Sequence, residues 1–286
     1  MGDGESVKID LLRETDLAGA LRLQEPEHWN QTARDWTRLL RLNPDGCFAA
    51  ISDGKLIGTV TVTPYGEHLA WLGMMLVAQE HRGRGIGKRL MRTALAHCER
   101  RHIATVKLDA TPRGRPLYES LGFVAECEIE RWQGMGGSKR QPEPGSFCTH
   151  KVPSSFYQFD EQAFRVSRKE LLESLLRDGC VPPELQIDES TQSWQGYAFA
   201  RAGARASYIG PVVAVKQERG VGLLEAMLQR LAGAVFVDIC LGGEDMVSPL
   251  IGRGFVRQRG LTQMSLGQPI MRRSDIVFAI AGPELG

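Results

Sequence analysis

Arg82-Gly83-Arg84-Gly85-Ile86-Gly87-Lys88 stands between an apolar run ending in Met75-Leu76-Val77 and a segment with helical periodicity. Glycines at 83, 85 and 87 free the backbone for a tight turn, and the N–H groups left unpaired at a helix start converge on an anion. The helix dipole adds to the same field. The stretch therefore reads as a pyrophosphate cradle at a strand-to-helix junction.

Two other phosphate loops fail on these residues. The Walker loop needs glycine at 82 and Ser or Thr at 89, where the chain has Arg82 and Arg89. The dinucleotide fingerprint needs glycine at 88 or 90, where Lys88 and Leu90 stand, although Asp109 lies where a ribose-binding acid would. Arg/Gln-x-x-Gly-x-Gly/Ala fits without a gap as Arg82, Gly85 and Gly87. A second element, Leu117-Tyr118-Glu119-Ser120-Leu121-Gly122-Phe123, follows after a strand pattern at Val106–Ala110.

On these two motifs, in this order and spacing, the chain resembles the GNAT superfamily of acyl-CoA-dependent N-acetyltransferases. The resemblance implies that Arg82, Gly83, Arg84, Gly85, Ile86, Gly87 and Lys88 hold the pyrophosphate of coenzyme A. It implies that Met75, Leu76 and Val77 pair their backbone with the pantetheine arm, with acetyl-CoA as cosubstrate. Tyr118 becomes the candidate acid or hydrogen-bond donor to the departing thiolate. Two positions depart from the family pattern: Thr111 replaces a frequent asparagine and Gly114 the usual alanine. The base is not assigned by the sequence. Glu67 and His68 at the start of the preceding strand, or a water relay, are the alternatives.

Working outward, the first half reads as helix-rich from about Glu14 to Leu42. Strands follow near Cys47–Ser52, Leu56–Thr63 and His68–Val77, with Asp53-Gly54 as a hairpin turn. After the glycine loop, Ile86, Leu90, Met91, Ala94, Leu95 and Cys98 form one apolar helical face. Gln133 to Gly145 lacks both period and apolar content and reads as a linker.

Beyond it the same grammar returns. Gln217, Gly220 and Gly222 lie 135 residues after Arg82, Gly85 and Gly87, again between a strand pattern (Ile209–Val213) and an apolar helical stripe. Arg253-Gly254-Phe255 lies 132 residues after Leu121-Gly122-Phe123, which sets Leu250 opposite Tyr118; Leu223 likewise stands opposite Lys88. The expected architecture is α/β with a mixed sheet, in two tandem GNAT-like domains. Residues 1–138 form the catalytic one and 150–286 a degenerate copy that keeps the scaffold pattern and loses the hydroxyl.

The 286 residues are 42% hydrophobic and 24% charged, enough for two cores, and the net charge of +1 gives no global case for nucleic-acid or membrane partners. Seven Lys or Arg between His81 and Arg101 read as a solvated helix face that begins at the phosphate loop. No apolar run approaches the roughly 18 residues of a membrane span, and the acidic start lacks a signal-peptide core, so a cytoplasmic protein is expected. Six cysteines occur singly and read as reduced thiols; six histidines show no ligand spacing, so no metal site is expected. The expected acceptor is a small-molecule amine, met by the N-terminal helices around Trp29 and Trp36 and by the second domain. The alternative is a noncatalytic acyl-CoA-binding or sensing module, which would need the loop but not Tyr118. Oligomeric state is left open.

Overall fold

Asp53 and Gly54, both at positive φ (48° and 72°), turn the chain between two antiparallel strands, as their sequence signature requires. The hairpin joins β2 (Cys47–Ser52) to β3 (Lys55–Tyr65) in a computed structural model that describes residues 7–139, 152–241 and 245–286. Before the hairpin come β1 (Lys8–Leu11), α1 (Leu17–Gln24) and α2 (Ala33–Leu42). The expected helical stretch is thus two helices, separated where His28 takes a left-handed conformation (φ 54°). A capping box starts α2: the Asp35 carboxylate accepts from Thr32 N at 2.7 Å and Thr32 Oγ1 accepts from Asp35 N at 3.4 Å.

The first half continues with β4 (Leu69–Val77), α3 (Ile86–Arg100), β5 (Thr105–Ala110), α4 (Arg115–Glu119) and β6 (Val124–Met135). On α3, Ile86, Leu90, Met91, Ala94 and Cys98 are buried against the sheet, while Leu95 is partly covered. The second half contributes α5 (Ser154–Phe164), α6 (Lys169–Asp178), β7 (Glu184–Ile187), β8 (Trp194–Arg201), β9 (Ser207–Ala214), α7 (Gln217–Arg230), β10 (Ala234–Cys240), α8 (Val247–Gly252), β11 (Val256–Gly267) and β12 (Val277–Ala279).

All the described strands join one mixed sheet in the order β1-β2-β3-β4-β5-β11-β6-β10-β12-β9-β8-β7. The halves exchange strands at its centre. β11 lies between β5 and β6, and β6 crosses to pair with β10 from Ile129↔Cys240 to Met135↔Ala234. Gln133-Gly134-Met135, expected in a linker, is therefore strand. Its glycines answer to close packing: a Cβ at Gly134 would lie 2.2 Å from the Phe255 ring, and one at Gly136 would lie 2.1 Å from the Leu231 carbonyl oxygen. The rest of the expected linker, from residue 140, lies outside the described residues.

Buried ion pairs pin the two halves together. The Arg38 guanidinium reaches Asp35 at 2.6 Å and Asp178 at 2.9 Å, and Arg201 reaches Asp35 at 3.2 Å and Glu284 at 2.9 Å. Arg131 on β6 meets Asp238 on β10 with two bonds of 2.7 and 2.6 Å. Removing one member of such a buried pair costs about 3–5 kcal/mol, because its partner's charge is left stranded. The described cysteines, 47, 98, 127, 180 and 240, are free thiols, and burial raises the first two and Cys240 to about 12; Cys148 lies outside the described residues.

Candidate active site

The site begins where β4 and β5 part. They pair in parallel from Leu69↔Thr105 to Leu72↔Leu108, whereas β4 stays paired with β3 as far as Val77. At the parting, β4 bulges between Gly73, opposite Thr61, and Leu76, opposite Thr59; Met74 takes φ 48°. Thr59 Oγ1 holds the bulge by donating to the Met74 carbonyl at 2.7 Å. A non-glycine residue held at positive φ stores strain that its surroundings must overcome. The result is that Met75, Leu76 and Val77 have no strand partner on their β5 side among the described residues, and their backbone edge faces a cleft.

The loop after β4 closes one end of that cleft. Gly83 and Gly85 both sit at φ 77°, and nothing lies within 4 Å of where their Cβ atoms would be, so the loop encloses open space. Gly85 precedes Ile86, the first residue of α3, whose leading amides face the cleft end. At Gly87 a Cβ would come within 2.9 Å of Met75 Cε, so glycine sets how closely α3 approaches β4. The Arg82 side chain is spent on building the loop: Nε donates to the Val77 carbonyl at 2.7 Å and the guanidinium pairs with Glu27 at 2.5 Å. That bond holds the Glu27 carboxyl below its usual range. Lys88 lines the cleft, while Arg84 is exposed on the outer side of the loop.

These elements wall a cavity of about 450 Å³. Tyr118 stands in its wall, 8% exposed, its ring edge-on to Phe123 at 6.1 Å and its hydroxyl pushed up to about 12 by burial. Both departures from the family pattern serve this tyrosine. A Cβ at Gly114 would press within 3.1 Å of the Tyr118 ring, and Thr111 Oγ1 accepts from Gly114 N at 3.1 Å to hold the turn that starts α4. Of the alternatives weighed for a base, Glu67 and His68 lie in the turn before β4, outside the cavity wall.

The sequence reading gave no role in acyl transfer to Asp109, a carboxylate in the cavity wall. Asp109 on β5 accepts from Gln263 Nε2 at 3.2 Å through Oδ1, while its buried Oδ2 has no partner among the described residues. Gln263 is held in turn by Arg272, whose Nη1 donates to its Oε1 at 2.6 Å. Burial raises the Asp109 carboxyl to about 7, against the pull of Arg272 and Gln263 and with the push of Asp238 and Glu284. Arg259 and Leu261 of β11, and Pro283 and Glu284 beyond β12, complete the wall from the second half. Glu284 is pressed against the bulge, its backbone 2.8 Å from where a Gly73 Cβ would sit, and its carboxylate accepts from Gln31 at 2.6 Å and Arg201 at 2.9 Å. Asp109 has a sequence signal, an acid on the strand after the loop; Arg259 and Glu284 have none.

Among the described residues the second copy of the motif builds no such cleft. Gly220 and Gly222 lie inside α7, which starts at Gln217, and Gly220 N donates to the Lys216 carbonyl at 3.1 Å. Neither takes positive φ, so the glycine loop expected there is a helix turn whose amides are bonded within it. The parting between β9 and β10 is filled by β12: Ala214 N donates to the Ile276 carbonyl at 2.9 Å and Ile280 N to the Asp238 carbonyl at 3.1 Å. Phe278 of β12 sits where a Gly220 Cβ would point, 2.5 Å away. Leu250, opposite Tyr118 in the repeat, is fully buried. Among the described residues no group of His, Cys, Asp and Glu is arranged to hold a metal, and no helix is long and apolar enough to cross a membrane.

Comparison with known proteins agrees with this architecture. Residues 12–123 match the acetyltransferase (GNAT) family model and residues 156–279 an acetyltransferase (GNAT) domain model. The chain is 28% identical to holothin acyltransferase of Pseudoalteromonas sp. (strain SANK 73390) over 51% of its own length and 49% of that protein, so the match spans about half of each. It is 24% identical to the uncharacterized N-acetyltransferase YitH of Bacillus subtilis (strain 168) over 85% of this chain and 86% of that one. A crystal structure of a putative acetyltransferase from Pyrococcus horikoshii superposes with a TM-score of 0.83 at 23% identity, covering 100% of this chain and 98% of the other. With one family match on each half and a shared fold across its length, the chain belongs to the GNAT acetyltransferases, as a tandem of two GNAT domains.

Proposed function

We propose that the protein is an N-acyltransferase that moves an acetyl group from acetyl-CoA to a small amine. The first half (1–138) carries the acyl-CoA site, and the second (150–286) is a degenerate copy that shapes the acceptor side. In this reading the backbone of Met75, Leu76 and Val77 pairs with the pantetheine arm. The amides of the 83–87 loop, with Lys88, take the pyrophosphate, and the β4 bulge orients the thioester carbonyl.

An alkyl ammonium with a pKa of about 10.4 must lose a proton to attack. Asp109 takes that proton, and the lone pair it frees bonds to the carbonyl carbon. The C–S bond then breaks as Tyr118, protonated across the working pH range, donates to the departing thiolate sulfur, and the second nitrogen proton, lost as the amide forms, restores the phenol. One observation carries the reading: the unpaired β4 edge, the open glycine loop, Tyr118 and Asp109 converge on a single cavity. A noncatalytic acyl-CoA-binding module leaves Asp109, buried with an unpartnered oxygen, without a use. Unpaired cysteines among the described residues support a reducing, cytoplasmic setting. The test follows free thiol release from acetyl-CoA across a panel of amines; acetyl-CoA binding without turnover of any amine would favour the binding module.

A further inference from the structure

β11 presents Arg259, Leu261 and Gln263 at alternate positions, hence on one face. Arg259 and Leu261 line the cavity, and Gln263 holds Asp109. Arg259 is partly buried, and its Nε is enclosed without a hydrogen-bond partner among the described residues. The carboxylates nearest to it are engaged elsewhere. Asp238 accepts both bonds from Arg131 and one from the Tyr208 hydroxyl at 3.1 Å, and Glu284 accepts from Arg201 and Gln31. Burial and the neighbouring Arg131 charge depress the Arg259 guanidinium to about 10, against the pull of Asp238 and Glu284, neither of which bonds it. A guanidinium removed from water without an ion pair is costly, and a planar fork of donors in a cavity wall is suited to a carboxylate.

From the placement of Arg259 beside Leu261 on the acceptor wall, with Asp109 on the adjoining strand, we propose that the acceptor is an amine that also carries a carboxylate. Arg259 binds the carboxylate and Asp109 faces the amine. The inference rests on the acyl-transfer reading of the same cavity and adds the class of acceptor to it. Both ends come from the exchanged centre of the sheet: β5 supplies the acid and β11 the cation, on neighbouring strands in register through Gln263↔Asp109. Leu261, between Arg259 and Gln263, gives the carbon skeleton an apolar surface. The loop cations stand at the β4–α3 junction and Arg259 on β11, so Arg259 is not one of the groups assigned to the pyrophosphate.

The test pairs amino acids with their decarboxylated counterparts: glycine with methylamine, β-alanine with ethylamine, L-phenylalanine with phenethylamine and L-lysine with cadaverine. Thiol release from acetyl-CoA should favour the carboxylated member of at least one pair by on the order of 10⁴–10⁵ in kcat/KM, as for a site built to bond a group its competitor lacks. Arg259→Gln should remove that preference, Arg259→Lys should retain part of it, and the KM for acetyl-CoA should stay unchanged in both. Preference for the decarboxylated amines, or an equal loss for both classes in Arg259→Gln, would overturn the proposal. A second arm does not depend on turnover: binding of the corresponding N-acetyl amino acids and N-acetyl amines to the CoA-bound protein by calorimetry. If no amine is acetylated, the transfer reading fails. Carboxylate binding lost in Arg259→Gln would still support the Arg259 assignment, and no carboxylate binding at all would refute it.

Discussion

Asp109→Asn should raise stability while removing activity, and the size of the gain follows from the carboxyl's surroundings. Its pKa rises from 3.8 to about 7 because burial outweighs the attraction of Arg272 and the Gln263 hydrogen bond. A group with a raised folded pKa binds more protons folded than unfolded, so its contribution to stability falls as pH climbs between those values. The penalty is absent below about pH 4 and complete above about pH 7, where roughly three units amount to about 4 kcal/mol. Asparagine cannot ionise and keeps an oxygen for Gln263 Nε2, but it buries an amide at the unpartnered Oδ2 position, at a cost of about 1–3 kcal/mol. The variant should therefore be about 1–3 kcal/mol more stable than wild type at pH 8.5, and its margin should grow by about 2 kcal/mol between pH 5.5 and 8.5. Urea unfolding at the two pH values measures this. In turnover, wild-type kcat/KM should rise through pH 7, and the variant should lose that inflection with about 10²–10⁴ of kcat. Acetyl-CoA affinity should persist. A variant with wild-type activity and an unchanged inflection would refute the base assignment; a margin that does not grow with pH would refute the electrostatic argument beneath it.

Tyr118→Phe removes a hydroxyl that stays protonated up to about pH 12, so it should lower kcat by about 10²–10⁴ without creating a new inflection below pH 11, with acetyl-CoA affinity little changed in calorimetry. Gly85→Glu forces a side chain onto a residue at φ 77° and directs a carboxylate into the open loop; acetyl-CoA binding should be lost in a protein whose circular dichroism is unaltered, and retained affinity would move the cofactor elsewhere. Titration of the wild type should count one acetyl-CoA per chain, because β12 fills the second cleft, and Gly222→Glu, where nothing lies within 4 Å of an added Cβ, should leave that count unchanged. Residues 1–139 expressed alone should show no cooperative unfolding, since they lack the β11 strand that separates β5 from β6; a two-state transition would show the halves to be independent.

The parts read well from sequence are those encoded by contiguous residues. The glycine loop, the apolar face of α3, the Asp53-Gly54 turn and the Tyr118 helix each depend on local conformational preference or helical period. The failures are of another kind. Gly134 and Gly136 read as linker because glycine in a chain of low apolar content looks the same whether it bends freely or lets a neighbour approach; only the Phe255 ring and the Leu231 carbonyl distinguish the two. Gly220 and Gly222 matched the loop pattern while lying within a helix, since Gln-x-x-Gly-x-Gly does not fix the φ of its glycines. Asp109 appeared in the sequence as a strand acid, yet its raised pKa depends on burial beneath β11, more than 140 residues further along the chain. Arg259 and Glu284 acquire meaning only through strand exchange and the path of the final segment, which leave no periodic trace.

That final segment links the fate of the second cleft to the completeness of the first. β12 enters the gap between β9 and β10, which in the first half is the open gap between β4 and β5, and satisfies the backbone groups there. Filling the gap forecloses the use that β4 retains for its free edge. The chain then continues without a break. Arg201 Nη1 donates to the Ala281 carbonyl at 2.6 Å, Trp71 Nε1 to Pro283 at 3.2 Å and Tyr65 Oη to Leu285 at 2.5 Å, so residues 281–285 are carried across the junction onto β3 and β4. Glu284 consequently reaches Gly73 at the bulge, where it packs against the backbone and is held by one residue from each half, Gln31 and Arg201. Occupying the second cleft thus anchors the strand whose continuation walls the first. The filled gap between β9 and β10 and the wall of the open cleft beside β4 are thus two ends of the same ten residues, 276–285, so in the proposed reading the second half keeps its scaffold because that scaffold holds the acceptor side of the first.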